Sequence, residues 1–225
     1  MNTEIHPISL GLCTCYLIKQ EGIVLVDVGQ PNLEEKFTKA LKELSINPKD
    51  ITLVFLTHGH WDHIGLLSEV KKLTNCPVAI NHHEKAWVEQ GLKPLPPAIN
   101  IWGKILGAVI QTFIMPSIYF PAVPIGMTLE DKEFPLEPYG IHGKALYTPG
   151  HTSGSMSILL DSGEAFVGDL AMGGLPQRLS PYTSIFLEDA NQVKASWRLL
   201  LEQGVKWIYP AHGKPFKSEI LAKKL

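Results

Sequence analysis

Cysteine is scarce in this chain of 225 residues, with Cys13, Cys15 and Cys76 the only three. So odd and sparse a set does not make the disulfide framework of a small secreted protein. An excess of charge of one sign is missing too: 20 Lys and Arg stand against 22 Asp and Glu, for a formal net charge of −2. That balance gives no electrostatic reason to expect nucleic acid as a partner. The opening residues Met1-Asn2-Thr3-Glu4 show no basic segment leading into an apolar run, so no signal peptide is expected and the expected location is cytoplasmic. No Gly-x-Ser-x-Gly occurs, which removes the serine nucleophile elbow; Gly150-His151-Thr152-Ser153-Gly154 has the wrong spacing. Low-complexity linkers and short-period repeats are absent as well, and residues 1–225 are expected to form one domain.

One further absence is local. No charged residue occurs from Ile105 to Met127. Pro116, Pro121 and Pro124 interrupt that stretch, so a continuous membrane-spanning helix is not expected. An amphipathic helical flap over Ile99 to Met115, inside an apolar insertion around residues 96–127, is expected instead. Such a flap can cover an apolar substrate pocket, form a homodimer contact, or rest peripherally on a membrane surface, because apolar surface of this size seldom stays uncovered.

Hydrophobic residues make up 45% of the chain, which suits a folded globular protein. Short apolar runs at Ile5 to Leu10, Cys13 to Lys19 and Ile23 to Val28 are expected strands. Cys13 and Cys15 then share one strand face, where free cysteine packs as a small hydrophobe. Asn32 is the expected cap of a helix carrying Leu33, Phe37, Ala40, Leu41 and Leu44 at helical spacing. Ile51 to Leu56 is expected to be a buried strand, with a helix after Asp62, a strand near Pro77 to Ile80 and a helix near His83 to Gln90. The second half is expected to place strands at Ala145 to Thr148, Met156 to Leu160, Glu164 to Gly168 and Lys206 to Tyr209. Helices are expected at Glu188 to Leu201 and near Ser218 to Lys224. Grouped strands with interspersed helices point to an α/β chain with two sheets and helices outside them.

The strand at Ile51 to Leu56 runs straight into Thr57-His58-Gly59-His60-Trp61-Asp62-His63. Imidazole and carboxylate are the ligand types of zinc and related ions. His58 and His60, two apart on an extended loop, can turn toward one point, while Asp62 and His63, at a helix start, can diverge to a second. Three of the nine histidines in one short window are a poor match to a chance surface loop. Further candidates follow strands beside glycine or proline: His151 in Thr148-Pro149-Gly150-His151, Asp169 in Val167-Gly168-Asp169, and His212 in Pro210-Ala211-His212-Gly213.

In this order, and with Asp27 in Val26-Asp27-Val28-Gly29, the residues resemble the metallo-β-lactamase superfamily over nearly the whole chain. The resemblance implies a four-layer αβ/βα sandwich of two mixed β-sheets flanked by helices, with the site at the sheet edges. It also implies two divalent metal ions, one on His58, His60 and His151 and a second on Asp62, His63 and His212. Asp169 would bridge the two, and Asp27 would stand behind the ligands and orient them. Zinc is the expected metal, with iron or manganese compatible with the same donors.

Two divalent ions roughly 3.5–4 Å apart can share a hydroxide and lower its pKa toward neutrality. By the resemblance, that hydroxide attacks an electrophilic carbonyl or phosphorus, and Asp62 orients it or carries a proton, which makes Asp62 and Asp169 the catalytic candidates. An aspartate at position 169 is unlike the antibiotic-hydrolysing members, and His60 stands where flavodiiron proteins carry glutamate. The motifs are most similar to those of glyoxalase II and the acyl-homoserine lactonases. Little chain follows His212 to form the glutathione-binding domain of glyoxalase II, and no tyrosine directly follows Asp169 as in the lactonases, Tyr182 being the nearest. Trp61, Trp102 and Tyr182 are the candidates for a substrate pocket. Hydrolysis of a thioester, ester or lactone, a small-molecule substrate with a hydrophobic acyl group, is the leading expectation. A phosphodiesterase and a mononuclear-iron oxidoreductase similar to persulfide dioxygenases are the alternatives.

Overall fold

The computed structural model describes residues 3–173 and 182–225. Strands β1 (Glu4–Leu10), β2 (Cys13–Lys19) and β3 (Ile23–Val26) pair antiparallel in sequence order. Helix α1 (Glu34–Glu43) leads to β4 (Leu53–Phe55), and α2 (Trp61–Ile64) and α3 (Leu67–Thr74) lead to β5 (Val78–Asn81). Helices α4 (Lys85–Gln90) and α5 (Ile101–Val109) precede β6 (Met127–Leu129). Strands β4, β5 and β6 join β3 in parallel, completing a sheet of order β1-β2-β3-β4-β5-β6.

The second sheet is built from β7 (Phe134–Pro135), β8 (Gly143–Tyr147), β9 (Met156–Leu160), β10 (Glu164–Gly168), β11 (Trp207–Pro210) and β12 (Phe216–Lys217), with order β12-β11-β10-β9-β8-β7. Only β10 and β11 run parallel, joined by the crossover helix α6 (Ala190–Glu202); α7 (Glu219–Ala222) closes the chain. Both sheets are therefore mixed.

Three apolar clusters show the layering. Val24, Val26, Leu53 and Phe55 of the first sheet meet Ala145, Ile158, Leu160 and Phe166 of the second. The alternate residues Leu25, Val54, Leu56 and Ile80 pack outward against Phe37 and Leu41 of α1 and Val70 of α3. On the far side Leu146, Leu159, Val167 and Ile208 pack against Val193, Trp197 and Leu200 of α6. Period-two alternation thus feeds both faces of each sheet, and β3 and β9 are buried at every position because both of their faces are covered. The result is the expected four-layer αβ/βα sandwich.

Local expectations are corrected in three places. Asn32 caps no helix; it turns at φ +62°, and α1 starts from Leu33 with no side-chain cap. The strand expected to reach Val28 stops at Val26, because Asp27 turns at φ +59°. Strands β6, β7 and β12 lie outside every expected span. In the insertion, α5 continues as a π-helical turn, Ile110–Ile114, and a 3-10 turn, Met115–Ser117. Among the described residues no helix is long and apolar enough to cross a membrane.

Candidate metal centre

The site forms where strand ends of both sheets meet. Thr57 to His60 leave β4 extended, and α2 begins immediately afterwards with His60 at its N-cap at ψ 147°. The loop is tied into both sheets. Thr57 accepts from the Met156 N–H at 2.9 Å, and His63 accepts from the Val28 N–H at 2.8 Å. The β8–β9 loop carries His151, the end of β10 carries Asp169, and the end of β11 carries His212.

Three imidazoles converge first. His60 Nδ1 lies 2.9 Å from His58 Nε2 and 3.0 Å from His151 Nε2. The partners of the outer nitrogens assign the tautomers. The Thr57 hydroxyl donates to Asp27, so it accepts from His58 Nδ1 at 3.0 Å. His151 Nδ1 donates to the Phe186 carbonyl at 2.8 Å. Each Nε2 therefore presents a lone pair to the same point. Burial pushes His58 well below the usual histidine range and His60 down to about 3, so both are neutral. With the His60 proton on its other nitrogen, Nε2, three lone pairs meet at one point, an arrangement a cation would fill.

A second group adjoins the first. His212 Nε2 lies 3.3 Å from Asp62 Oδ2, and His63 Nε2 lies 4.0 Å from the same oxygen. Asp169 Oδ1 is 3.3 Å from His63 Nε2 and 3.2 Å from His212 Nε2, while its Oδ2 is 3.6 Å from His151 Nε2. One carboxylate thus reaches both groups. Outer nitrogens are again pinned: His63 Nδ1 donates to Asp27 at 2.9 Å, and His212 Nδ1 to the Leu12 carbonyl at 3.0 Å. Asp27 also accepts from the Thr57 N–H at 2.8 Å, so it ties the first histidine loop to His63.

The electrostatics of the second group call for positive charge. Burial pushes Asp169 up, yet His212 and His63 hold it well below the usual carboxylate range. Asp62 is brought to about 2 against burial by His63 and His212. His212 is raised well above its usual range against burial, chiefly by Asp169. His63 Nε2 and Asp169 Oδ1 are buried with no hydrogen-bond partner among the described residues. His63 is itself raised well above the usual histidine range against burial by the surrounding Cys13, Asp27, Asp169 and Asp62, so without a metal it meets Asp169 as a cation. With the ring neutral, its Nε2 and the Asp169 oxygen are two acceptors facing one another, which fits metal ligation. His58, His60 and His151 form one group able to hold an ion; Asp62, His63 and His212 form another, and Asp169 groups with His58 and His63. All seven residues singled out as ligands are brought together.

Two residues carry no signal in the sequence. Glu84, in the turn before α4, is fully buried and accepts from the Gly59 N–H at 2.9 Å and the Gly154 N–H at 3.0 Å. It therefore clamps the His58–His60 loop to the His151 loop. Burial raises its pKa to about 7 against the hydrogen bonds it accepts from Thr152, Gly59 and Gly154. Both glycines leave room for the carboxyl: a Cβ at Gly59 would lie 2.9 Å from Glu84 Oε2, and one at Gly154 would lie 2.7 Å from Oε1. The Trp87 ring of α4 stacks on His60, with centroids 6.1 Å apart and planes at 4°. Neither role has a local pattern that a linear reading could detect.

A cavity of about 860 Å³ opens on the site. His60, Asp62, His151, Asp169 and His212 line one part of it, and Leu95, Leu106, Ile110, Met172, Ile185 and Phe186 line the rest. Trp61 lines it too, as expected. Trp102 does not: one turn before the cavity-lining Leu106 on α5, it is 60% exposed and stays outside the cavity. Tyr182 does not line it either, since its ring packs on Phe216, with centroids 4.8 Å apart.

The family model described as the metallo-beta-lactamase superfamily matches residues 8–212. The probable metallo-hydrolase YqgX of Bacillus subtilis is 29% identical over 161 residues, which cover 71% of this chain and 65% of that relative, just under two thirds of its length. The hydroxyacylglutathione hydrolase GloC of Haemophilus influenzae is 26% identical over 178 residues, covering 77% of this chain and 74% of that one. Among solved structures, the BLEG-1 B3 metallo-beta-lactamase aligns with a TM-score of 0.70 at 22% identity, covering 96% of this chain and 95% of its own. TTHA1623 in a di-iron-bound form aligns with a TM-score of 0.69 at 22% identity, covering 97% of each chain. At such identities the structural likeness carries the fold alone.

Proposed function

The chain belongs to the metallo-beta-lactamase superfamily, and from that premise we propose that it is a binuclear metal-dependent hydrolase cleaving a thioester, ester or lactone with an apolar acyl part. The observation that carries this reading is the cavity, whose His and Asp cluster and apolar walls adjoin in one space. The name of the relative GloC, a hydroxyacylglutathione hydrolase, is in keeping with a thioester. His58, His60 and His151 would hold one divalent ion and Asp62, His63 and His212 a second, with Asp169 between them. Zinc is the proposed metal, and iron or manganese suits the same donors. When bound, such a pair supplies a water acidic enough to ionise near neutral pH and a Lewis acid for the scissile carbonyl.

The protein's own groups do the remaining work. Leu106, Ile110 and Phe186 bind the acyl chain and exclude water from it. Asp62, on the cavity wall, orients the attacking water and carries its proton toward the leaving group. The Ser184 hydroxyl, buried on the same wall without a hydrogen-bond partner among the described residues, offers a polar contact for the substrate. Asp27 and Glu84 hold the histidine loops in register.

A panel of acyl thioesters, carboxylic esters and lactones tests the proposal. Hydrolysis of at least one of the three is expected, lost after chelation, restored by added divalent metal, and lost in His60→Ala. Full activity in protein stripped of metal contradicts it, as does turnover of bis(p-nitrophenyl) phosphate with no carboxylic ester cleaved.

A further inference from the structure

Helix α5 is apolar on both sides. Its inner side gives Leu106 to the cavity, and Gly103 and Gly107 are buried against the body of the protein. Ile101, Trp102, Ile105 and Val109 of the same helix are exposed to solvent, and so is Phe113 of the π-helical turn that continues it. Ile101 is 68% exposed and Phe113 75%. Isolated exposed apolar residues are ordinary, but a contiguous set of large ones marks an interaction surface.

Charge decides between the candidate occupants. From Gln90 to Leu129 there is no Asp or Glu, and Lys93 and Lys104 are the only charged residues. The Lys93 ammonium is taken up by the carbonyls of Met115 at 2.8 Å and Ile118 at 2.9 Å. Lys104 is exposed on α5, among the apolar residues. In a two-fold contact between copies, the same patch must complement itself. This patch would bury Lys104 against apolar side chains with no carboxylate of its own segment to pair it. At an anionic bilayer the apolar side chains enter the acyl boundary, while a lysine stem lies along it and its ammonium reaches the headgroups.

We propose that the outer face of α5 and its π-helical turn docks on an anionic lipid surface. The inner face of the same helix walls the cavity, so docking would set the cavity beside the bilayer; a supply of apolar acyl substrate by that route rests on the hydrolase reading above, whereas docking does not.

The test uses the full metal-loaded protein, sedimented with phosphatidylglycerol-containing vesicles and with pure phosphatidylcholine vesicles, while tryptophan emission is followed. Binding to the anionic vesicles, weaker binding to the neutral ones, and a blue shift missing in Trp102→Phe are expected. Ile105→Asp and Phe113→Asp should each weaken binding roughly tenfold or more, the scale of one buried apolar side chain lost. Neither residue lines the cavity, so both variants should hydrolyse a short-chain soluble substrate like the wild type. Failure to bind anionic vesicles, equal binding to neutral ones, or a dimer in solution that Ile105→Asp splits into monomers overturns the proposal. Wild-type emission and sedimentation decide it even where an aspartate variant fails to fold. Hydrolysis without vesicle binding sinks the docking alone, and vesicle binding without hydrolysis sinks the enzymatic reading alone.

Discussion

Glu84 shows how a single residue can set the geometry of two loops. Its carboxyl is titratable, with a pKa raised from 4.5 to about 7 by burial. Between those values the folded protein holds a proton that the unfolded chain has lost. Stability therefore falls as pH rises through that window, at no more than about 1.4 kcal/mol per pH unit from this group. Glutamine does not titrate, and its amide accepts only one of the two glycine N–H groups. The stability of the metal-free wild type minus that of Glu84→Gln is thus expected to fall from pH 4.5 to about 7 and then level off, as measured by urea unfolding. A difference that rises or stays flat across the window contradicts the assignment. Gly154→Ala should weaken metal retention more than Gly59→Ala. The new Cβ at 154 overlaps the Glu84 Cγ, whereas at 59 it meets only the carboxylate tip and the Trp87 ring edge; metal content after dialysis reads the difference. The candidate ligand set is legible in the sequence because histidine and aspartate crowd into a tight run and recur after later strands, and the fold brings all of them to one place. Glu84 is not, because an acid near a helix start is unremarkable until the fold lays two glycine N–H groups against it.

At the scale of elements, long apolar or alternating runs are the readable ones. β9 and β10 occupy the expected spans Met156–Leu160 and Glu164–Gly168. Strands β7 and β12 have two residues each, too few to show a period, and exist through their pairing with β8 and β11. The flap is visible in the sequence as a helix, but which of its faces turns inward is not. Trp102, Leu106 and Ile110 recur four residues apart on one side of the flap, and only packing decides which of them reach the cavity, so the sequence alone points to Trp102 while Leu106 and Ile110 are the residues that line it. Tyr182 is suggested only by its nearness in sequence to Asp169, and packing on Phe216 takes its ring elsewhere. Ile110→Trp should fill part of the cavity. The KM for a long-chain acyl substrate is expected to rise by about tenfold, with a short-chain substrate changed by less than about twofold. Equal losses on both would remove the cavity from acyl recognition.

At the scale of the whole molecule, the function depends on the joining of two sheets. His58, His60, Asp62 and His63 follow a strand of the first sheet, and His151, Asp169 and His212 follow strands of the second. Neither sheet alone supplies either complete metal-binding group. The inter-sheet layer around Phe55, Ile158 and Phe166 therefore positions the site as well as stabilising the fold. The linear order of the ligands can be read without the structure, whereas the apolar cavity made by the flap and the 182–187 segment requires it. Titration of metal-free protein with zinc, following hydrolysis of an acyl thioester, an ester and a lactone, tests the two-metal hydrolase directly. Cleavage is expected to be absent without metal and to rise to a plateau at two equivalents per chain. Full turnover with no metal, or a plateau at one equivalent, would contradict it.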